Sequence, residues 1–244
     1  TLWYRPVRNC PPRLEAQDVS DVQKPDGVHK VLILTNGRVF SDLCNVVSVI
    51  KDKSLYATGS CVFASGSEFD IINNRSGIIN RPPAIFKGQV VNLLTGGGGN
   101  YNYYHWLFDV IPRLFLVRDA VKIRGSATFL VPETKLPFQR SSMEMLGVHP
   151  KQMISSTQYS HVRADVLVST SHPKNVNQSG CRQVSHWICE QLRESFIPQL
   201  DPAFSISAPR RIYVSRGDNT NRRVLINEQM LMSCLRRFGF QSFL

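Results

Sequence analysis

The sequence predicts an α/β protein: a parallel sheet built by alternating strands and helices, entered through a small antiparallel β meander and followed by the opening of a second α/β unit. Three observations predict it. Short β-branched runs between His29 and Phe63 are punctuated by turn residues, strands and helical segments alternate from Ala84 to Phe196, and a strand-loop-helix pattern restarts at Arg210. The expected limits are an irregular lead-in over 1–28, an α/β domain over 29–205 and the start of a second one over 206–244.

Taken in order, residues 1–28 carry Pro6, Pro11, Pro12 and Pro25 with little periodicity, hence the irregular lead-in. VLIL, the turn pair Asn36-Gly37, NVVSVI and LYATGSCVF give the meander, expected to cover one edge of the main domain. AIFKGQVVNLLT reads as a strand running into the stretch Gly96–Val117, where four glycines lead into a strongly apolar helix bent at Pro112. ATFLVP is a buried strand, LPFQRSSMEMLGV a helix stopped by Gly147, and KQMIS and VRADVLVST are two further strands. The amphipathic run Ser179–Phe196 is stopped by Pro198 and Pro202. RRIYVS then opens a new strand, a helix follows over Asn227–Phe238, and Phe240 begins another strand after Gly239. The chain ends inside that unit, as if a second α/β domain were cut as it starts.

The glycine-led helix is the stretch around which the rest is organised. At roughly 100° per residue, Asn102, His105, Asp109 and Arg113 share a wedge of about 80°, and aromatic and aliphatic residues cover the rest of the circumference. One narrow polar stripe on a buried helix belongs on the wall of a cleft holding water or ligand. The plainer alternative is a self-satisfied polar cluster organising the core. Glycine lets a backbone or ligand approach closely, so Gly97 and Gly98, with Asn102 and Arg113, are the expected substrate contacts. Neither the dinucleotide nor the P-loop pattern is met, because Tyr101 stands where a third glycine would be and no Gly-Lys-Ser/Thr follows.

Composition sets further bounds. With 42% hydrophobic residues over 244 positions the chain can bury a sizeable core. No apolar run approaches the roughly eighteen residues needed to span a bilayer. The first residue is Thr1, which reads as a fragment or processed form, so any membrane anchor would lie outside this sequence. A net charge of +11 favours acidic partners. The basic residues are scattered, apart from modest clusters at Arg210, Arg211, Arg216, Arg222, Arg223 and at Arg236, Arg237, which argues against nucleic acid. The six cysteines form no C-x-x-C and no zinc spacing; they allow disulfides or buried thiols equally. Sequons at Asn74 and Asn177 are compatible with a secretory lumen.

Two separated stretches, in order, resemble the glycosyltransferase family 61 domain: NYNYYHWLFDVIPRL from Asn100, and YVSRGDNTNRRVLINE from Tyr213, with its Ser-Arg element, a following basic residue and Asn-Glu. The resemblance covers about half of the chain. It implies a GT-B-like enzyme of two Rossmann-like domains facing across a cleft, with 29–205 on the acceptor side and 206–244 opening the nucleotide-sugar-binding domain. It also implies inverting, metal-independent transfer of xylose, arabinose or N-acetylglucosamine from a nucleotide sugar, a uridine diphosphate sugar by expectation, to a glycan or glycoprotein in the Golgi or endoplasmic reticulum. No other cofactor is implied.

Inversion needs a base for the acceptor hydroxyl and cationic groups for the departing diphosphate. His105 and Asp109, one turn apart, are the candidates for the base, with the choice between them open. Arg216 follows a predicted strand at the carboxyl edge where open α/β sheets place ligands, and Arg223, Asn227 and Glu228 can complete a phosphate or ribose contact. No Asp-x-Asp occurs, so that form of divalent-metal site is not expected. A catalytically silent carbohydrate-binding or scaffolding relative, or a basic nucleic-acid binder, are the rival readings.

Overall fold

The computed structural model describes residues 4–5, 19–41, 46–51, 54–63, 82–95, 101–174, 183–200, 209–215 and 225–243. The chain divides into two compact units, Thr1–Phe196 and Ile197–Leu244. The boundary expected after residue 205 lies outside the described residues.

In chain order the first unit holds β1 (Tyr4–Arg5), β2 (Val19–Lys24), β3 (Gly27–Thr35), β4 (Arg38–Ser41), β5 (Val46–Lys51), β6 (Ser54–Leu55), β7 (Cys61–Phe63) and β8 (Ala84–Asn92). It continues with α1 (Tyr103–His105), a π turn (Trp106–Val110), α2 (Ile111–Ala120), β9 (Thr128–Val131), α3 (Pro137–Met145), β10 (Met153–Ser155), β11 (His161–Thr170) and α4 (His186–Phe196). Among the described residues the eleven strands of this unit belong to one sheet.

β11 is the seam of that sheet. On one edge it pairs parallel with β8, and on the other it pairs antiparallel with β3 and β4. The meander is therefore a continuation of the main sheet rather than a separate cover. The lead-in is also shorter than expected, because β2 forms a full antiparallel hairpin with β3 and β1 pairs with β7. β2 escapes a periodicity search because its sequence, VSDVQK, carries only two apolar residues, of which Val22 is buried.

The parallel strands lie in the order β10-β9-β8-β11. Numbered first to fourth along the chain, this is 3-2-1-4, with the reversal between β8 and β11. In open α/β sheets that reversal leaves a crevice at the carboxyl ends of the two strands, where ligands bind. The connection from β10 to β11 is short and has no helix, a departure from a fully doubly wound sheet. A bulge in β8/β11 bends the sheet near Gly88, whose φ of 84° suits a residue without Cβ and whose N–H donates to Asp165 Oδ2 at 2.9 Å.

Strand alternation splits the core into two layers. Val31, Val91, Phe129, Val131 and Val168 face the helices, meeting Trp106, Ile111, Leu114, Met143, Trp187 and Ile188. Leu32, Leu34, Val90, Leu130 and Leu167 face the other way and pack with Val39, Val47, Val49 and Tyr56. Each fully buried side chain of this size contributes about 1.5–3 kcal/mol of transfer free energy.

The organising helix was expected to bend at Pro112, and the structure places a π turn just before that residue. The Ile111 N–H reaches back five residues to Trp106 O, the mark of a π turn, and Pro112 follows at once. Proline has no N–H and its ring collides with the carbonyl four residues back. The wider turn absorbs that collision without breaking the helix. α3 ends where expected, with Gly147 at φ 74°.

The second unit contains β12 (Ile212–Val214), α5 (Glu228–Arg236) and β13 (Gln241–Phe243). Its two strands pair in parallel, giving the predicted β-loop-α-β unit.

Candidate active site at the sheet reversal

β8 and β11 end side by side, held by Asn92 Nδ2 donating to Ser169 Oγ at 3.0 Å. The chain leaving β8 passes through Leu93–Thr95, all buried, and the described residues resume at Tyr101, beside the helix start. Asn102 caps that start: its Oδ1 accepts from the N–H groups of Tyr104 at 3.0 Å and His105 at 3.3 Å. The helix is then anchored by Trp106, fully buried, whose Nε1 donates to Ser142 Oγ at 2.8 Å.

Asp109 lies on the π turn with no solvent exposure. Its Oδ2 is 2.5 Å from His105 Nδ1, and its Oδ1 is 2.7 Å from Lys174 Nζ and 3.8 Å from His172 Nε2. The Lys174 contact is an ion pair off the line of an ideal hydrogen bond. Lys174 is itself buried, and its ammonium sits 4.4 Å from the centroid of the Tyr104 ring, a cation–π arrangement. Tyr104 is 47% exposed and forms the outer wall.

These contacts constrain the protons. An ionised carboxylate only accepts, so the His105 Nδ1 facing it carries a hydrogen and the lone pair of the neutral ring falls on Nε2. His105 keeps 19% of its side chain exposed, so the imidazole is the member of the pair that reaches the surface. At His172 the logic reverses: Nδ1 accepts from the Lys174 N–H at 3.1 Å, which puts the hydrogen on Nε2, towards Asp109.

The polar stripe thus divides along its length. Arg113 is 1% exposed and turns inward, donating from Nη1 to Thr170 O at 3.0 Å, Thr170 Oγ1 at 3.1 Å and Ser171 O at 3.4 Å. It pins the end of β11, and so the segment bearing His172 and Lys174, and does not reach the surface. Asn102 is exposed, but its oxygen is engaged as a cap. The expected open wall along the whole stripe is replaced by a buried carboxylate with one imidazole leading outwards. Gly97 and Gly98 lie outside the described residues.

His172 and Lys174 escaped the sequence reading. The signal for them was positional: they follow the carboxyl end of a parallel strand, the same rule that singled out the glycine loop and Arg216. Nothing in SHPK taken alone distinguishes it from a solvated turn.

A separate depression lies elsewhere in this unit. About 430 Å³ in volume, it is lined by Arg118, Lys122, Arg124, Phe129, Val148 and Gln152. These residues sit at the amino ends of β9 and β10, roughly 20 Å along the helix from His105 at 1.5 Å per residue. Volume without a buried, oriented reactive group makes it a weaker candidate than the charged cluster.

In the second unit, Glu228 at the first turn of α5 accepts on Oε1 from Tyr213 Oη at 2.8 Å and Ser215 Oγ at 3.0 Å. The two hydroxyls come from β12 and the residue after it, so the carboxylate braces the start of the Ser-Arg loop. The bond to Glu228 first, then partial desolvation and the carboxylate's charge, push the Tyr213 phenol above its usual range. Asn227 occupies the cap position with its side chain making no cap bond. Arg216 and Arg223 lie outside the described residues.

Residues 103–243, which run from the helix bearing His105 to β13, match the family model described as Glycosyltransferase 61. No curated protein and no solved structure matches the chain. The match spans more than half of the chain and includes the His105–Asp109 pair, the His172–Lys174 segment and the Glu228 brace, and on that ground the chain belongs to the glycosyltransferase 61 family.

Proposed function

We propose that the chain carries the acceptor-side site, and the opening of the donor side, of an inverting and metal-independent glycosyltransferase of GT-B type. Family membership implies glycosyltransferase activity. The observation that carries the finer reading is the His105–Asp109 pair, 2.5 Å apart at the reversal of the parallel sheet, with its imidazole partly exposed. His105 is the base. Its Nε2 takes the proton of an acceptor hydroxyl as that oxygen attacks the anomeric carbon, the bond to the diphosphate breaks on the opposite face, and configuration inverts. Asp109 holds the ring and its tautomer; being sealed from solvent, it does not itself meet the acceptor.

The leaving diphosphate needs cationic donors, and the family motif assigns this to Arg216 and Arg223, with Asn227 near the start of α5. Glu228 acts in the same loop as a brace. Donors of the xylose, arabinose or N-acetylglucosamine class on uridine diphosphate, an acceptor glycan or glycoprotein, and a secretory-pathway lumen complete the reading. No helix among the described residues is long and apolar enough to cross a membrane.

The test is a screen of nucleotide sugars against thermal unfolding, since a specific ligand raises the midpoint by mass action. Uridine diphosphate sugars should raise it, and Arg216→Ala should abolish the rise. An unchanged rise in that variant would remove the phosphate role. The sealed position of Asp109 favours one competitor, a carbohydrate-binding relative without catalysis. That reading requires binding of sugar nucleotide or glycan with no transfer and no effect of His105→Gln on any rate.

A further inference from the structure

We propose that Lys174 is a positioning residue for the base: its ammonium takes up the charge of Asp109, and the imidazole on the other carboxylate oxygen is thereby kept a neutral proton acceptor. The inference rests on the reading of His105 as the base and adds a residue outside both motifs that carried the family resemblance.

A carboxylate with no solvent exposure needs a cation beside it. Two groups lie within 3 Å of it, and a third, His172 Nε2, stands at 3.8 Å with its other ring nitrogen accepting from the Lys174 N–H. His105 Nδ1 lies 2.5 Å from Oδ2, and Lys174 Nζ lies 2.7 Å from Oδ1. If the imidazole were the counter-ion, both of its nitrogens would carry hydrogens, and no lone pair would remain for the acceptor's proton. With the lysine as counter-ion, one positive charge balances one negative charge, and His105 contributes only a neutral Nδ1–H. The surrounding groups fit this division. His172 presents an N–H to Asp109, its other nitrogen being occupied by the Lys174 backbone. Arg113, on the same helix, spends its Nη1 on Thr170 and Ser171 and leaves the carboxylate to the lysine. The Tyr104 ring covers the ammonium from outside and favours a cation beneath it.

Lys174 also reaches this position by a defined route. β11 ends at Thr170, Arg113 fixes Thr170 and Ser171, and the Lys174 N–H closes a turn onto His172. The helix that carries the base therefore also sets the segment that carries its counter-charge.

The experiment labels histidine with nitrogen-15 in the whole 244-residue chain and reads the protonation and tautomer of His105 from long-range nitrogen–proton correlations at neutral pH, assigned by loss of the signal in His105→Gln. Expected are a neutral ring with its hydrogen on Nδ1 in the wild type, a doubly protonated ring in Lys174→Met, and return of the neutral ring in Lys174→Arg. Lys174→Gln, which keeps a donor to Oδ1 and removes the charge, should behave like the methionine variant and serves if that one does not fold. A doubly protonated His105 in the wild type, or an unchanged neutral ring in both uncharged variants, overturns the proposal. The spectra do not depend on sugar transfer. A silent transfer assay beside the expected spectra would remove the catalytic reading and leave the charge arrangement standing.

Discussion

Asp109 and Glu228 both gather side-chain donors onto one carboxylate, yet they do so in different surroundings. Asp109 is sealed under a helix and a sheet and is met by an imidazole and an ammonium. Glu228 is partly exposed on a short helix and, among the described residues, accepts from two hydroxyls. In the dry site charge must be balanced locally, so the groups around Asp109 are coupled and a proton added to one is felt by the others. At Glu228 water shares the load, and the carboxylate acts mainly as a brace between β12 and α5. A chemical role follows from the first setting and a positioning role from the second.

The contrast can be broken first at His105. His105→Gln should cost about 10²–10⁴-fold in transfer rate, the usual worth of a general base, while the melting midpoint stays close to that of the wild type. Transfer that survives this change would reduce the pair to a core device. Next, Asp109→Ala should cost about 3–5 kcal/mol in urea unfolding because it removes the carboxylate beside a buried ammonium. Glu228→Gln should cost about 1 kcal/mol, the worth of an ordinary hydrogen bond. Equal losses at the two sites would deny the difference in burial. Asn102→Ala removes the cap at the helix start and should cost about 1 kcal/mol, with His105 held less firmly.

Two pH measurements sharpen the comparison at smaller scale. In Glu228→Gln the Tyr213 phenol should titrate closer to the ordinary tyrosine value of 10.0, as read from phenolate absorbance. Asp26 offers a third carboxylate. Burial works against its ionisation, but hydrogen bonds from Ser185 and His29, with the charge of His29, hold it below 3.8. A depressed carboxylate stabilises the fold above its unfolded value and loses that contribution as pH falls through the lower folded value. Asp26→Asn should therefore flatten the acid limb of stability against pH and leave the alkaline limb unchanged.

Much of this architecture was legible in order along the chain. The turn at Asn36-Gly37, the helix stop at Gly147, the strands β8, β9 and β11 and the β-loop-α-β of the second unit follow from local spacing and from residues that tolerate positive φ. So does the His105–Asp109 pair, since residues four apart meet on one helical face whatever surrounds them. β2 was missed because its outward positions are polar and it has a single fully buried residue. Pro112 signals a bend in the sequence, but not that the turn before it widens to a π turn, because that choice depends on how the helix packs.

The sequence alone settled much of the local geometry: most of the helices and strands, several of their stops, and that an imidazole and a carboxylate meet one turn apart. Only the tertiary structure decided that β11 lies beside β8, which brings Lys174 and His172 to Asp109 and turns Arg113 inward. The reason is physical. Backbone propensity and side-chain periodicity act over a few residues, whereas strand order is fixed by how the whole sheet buries its two faces, and the partners of a buried charge are chosen by that order.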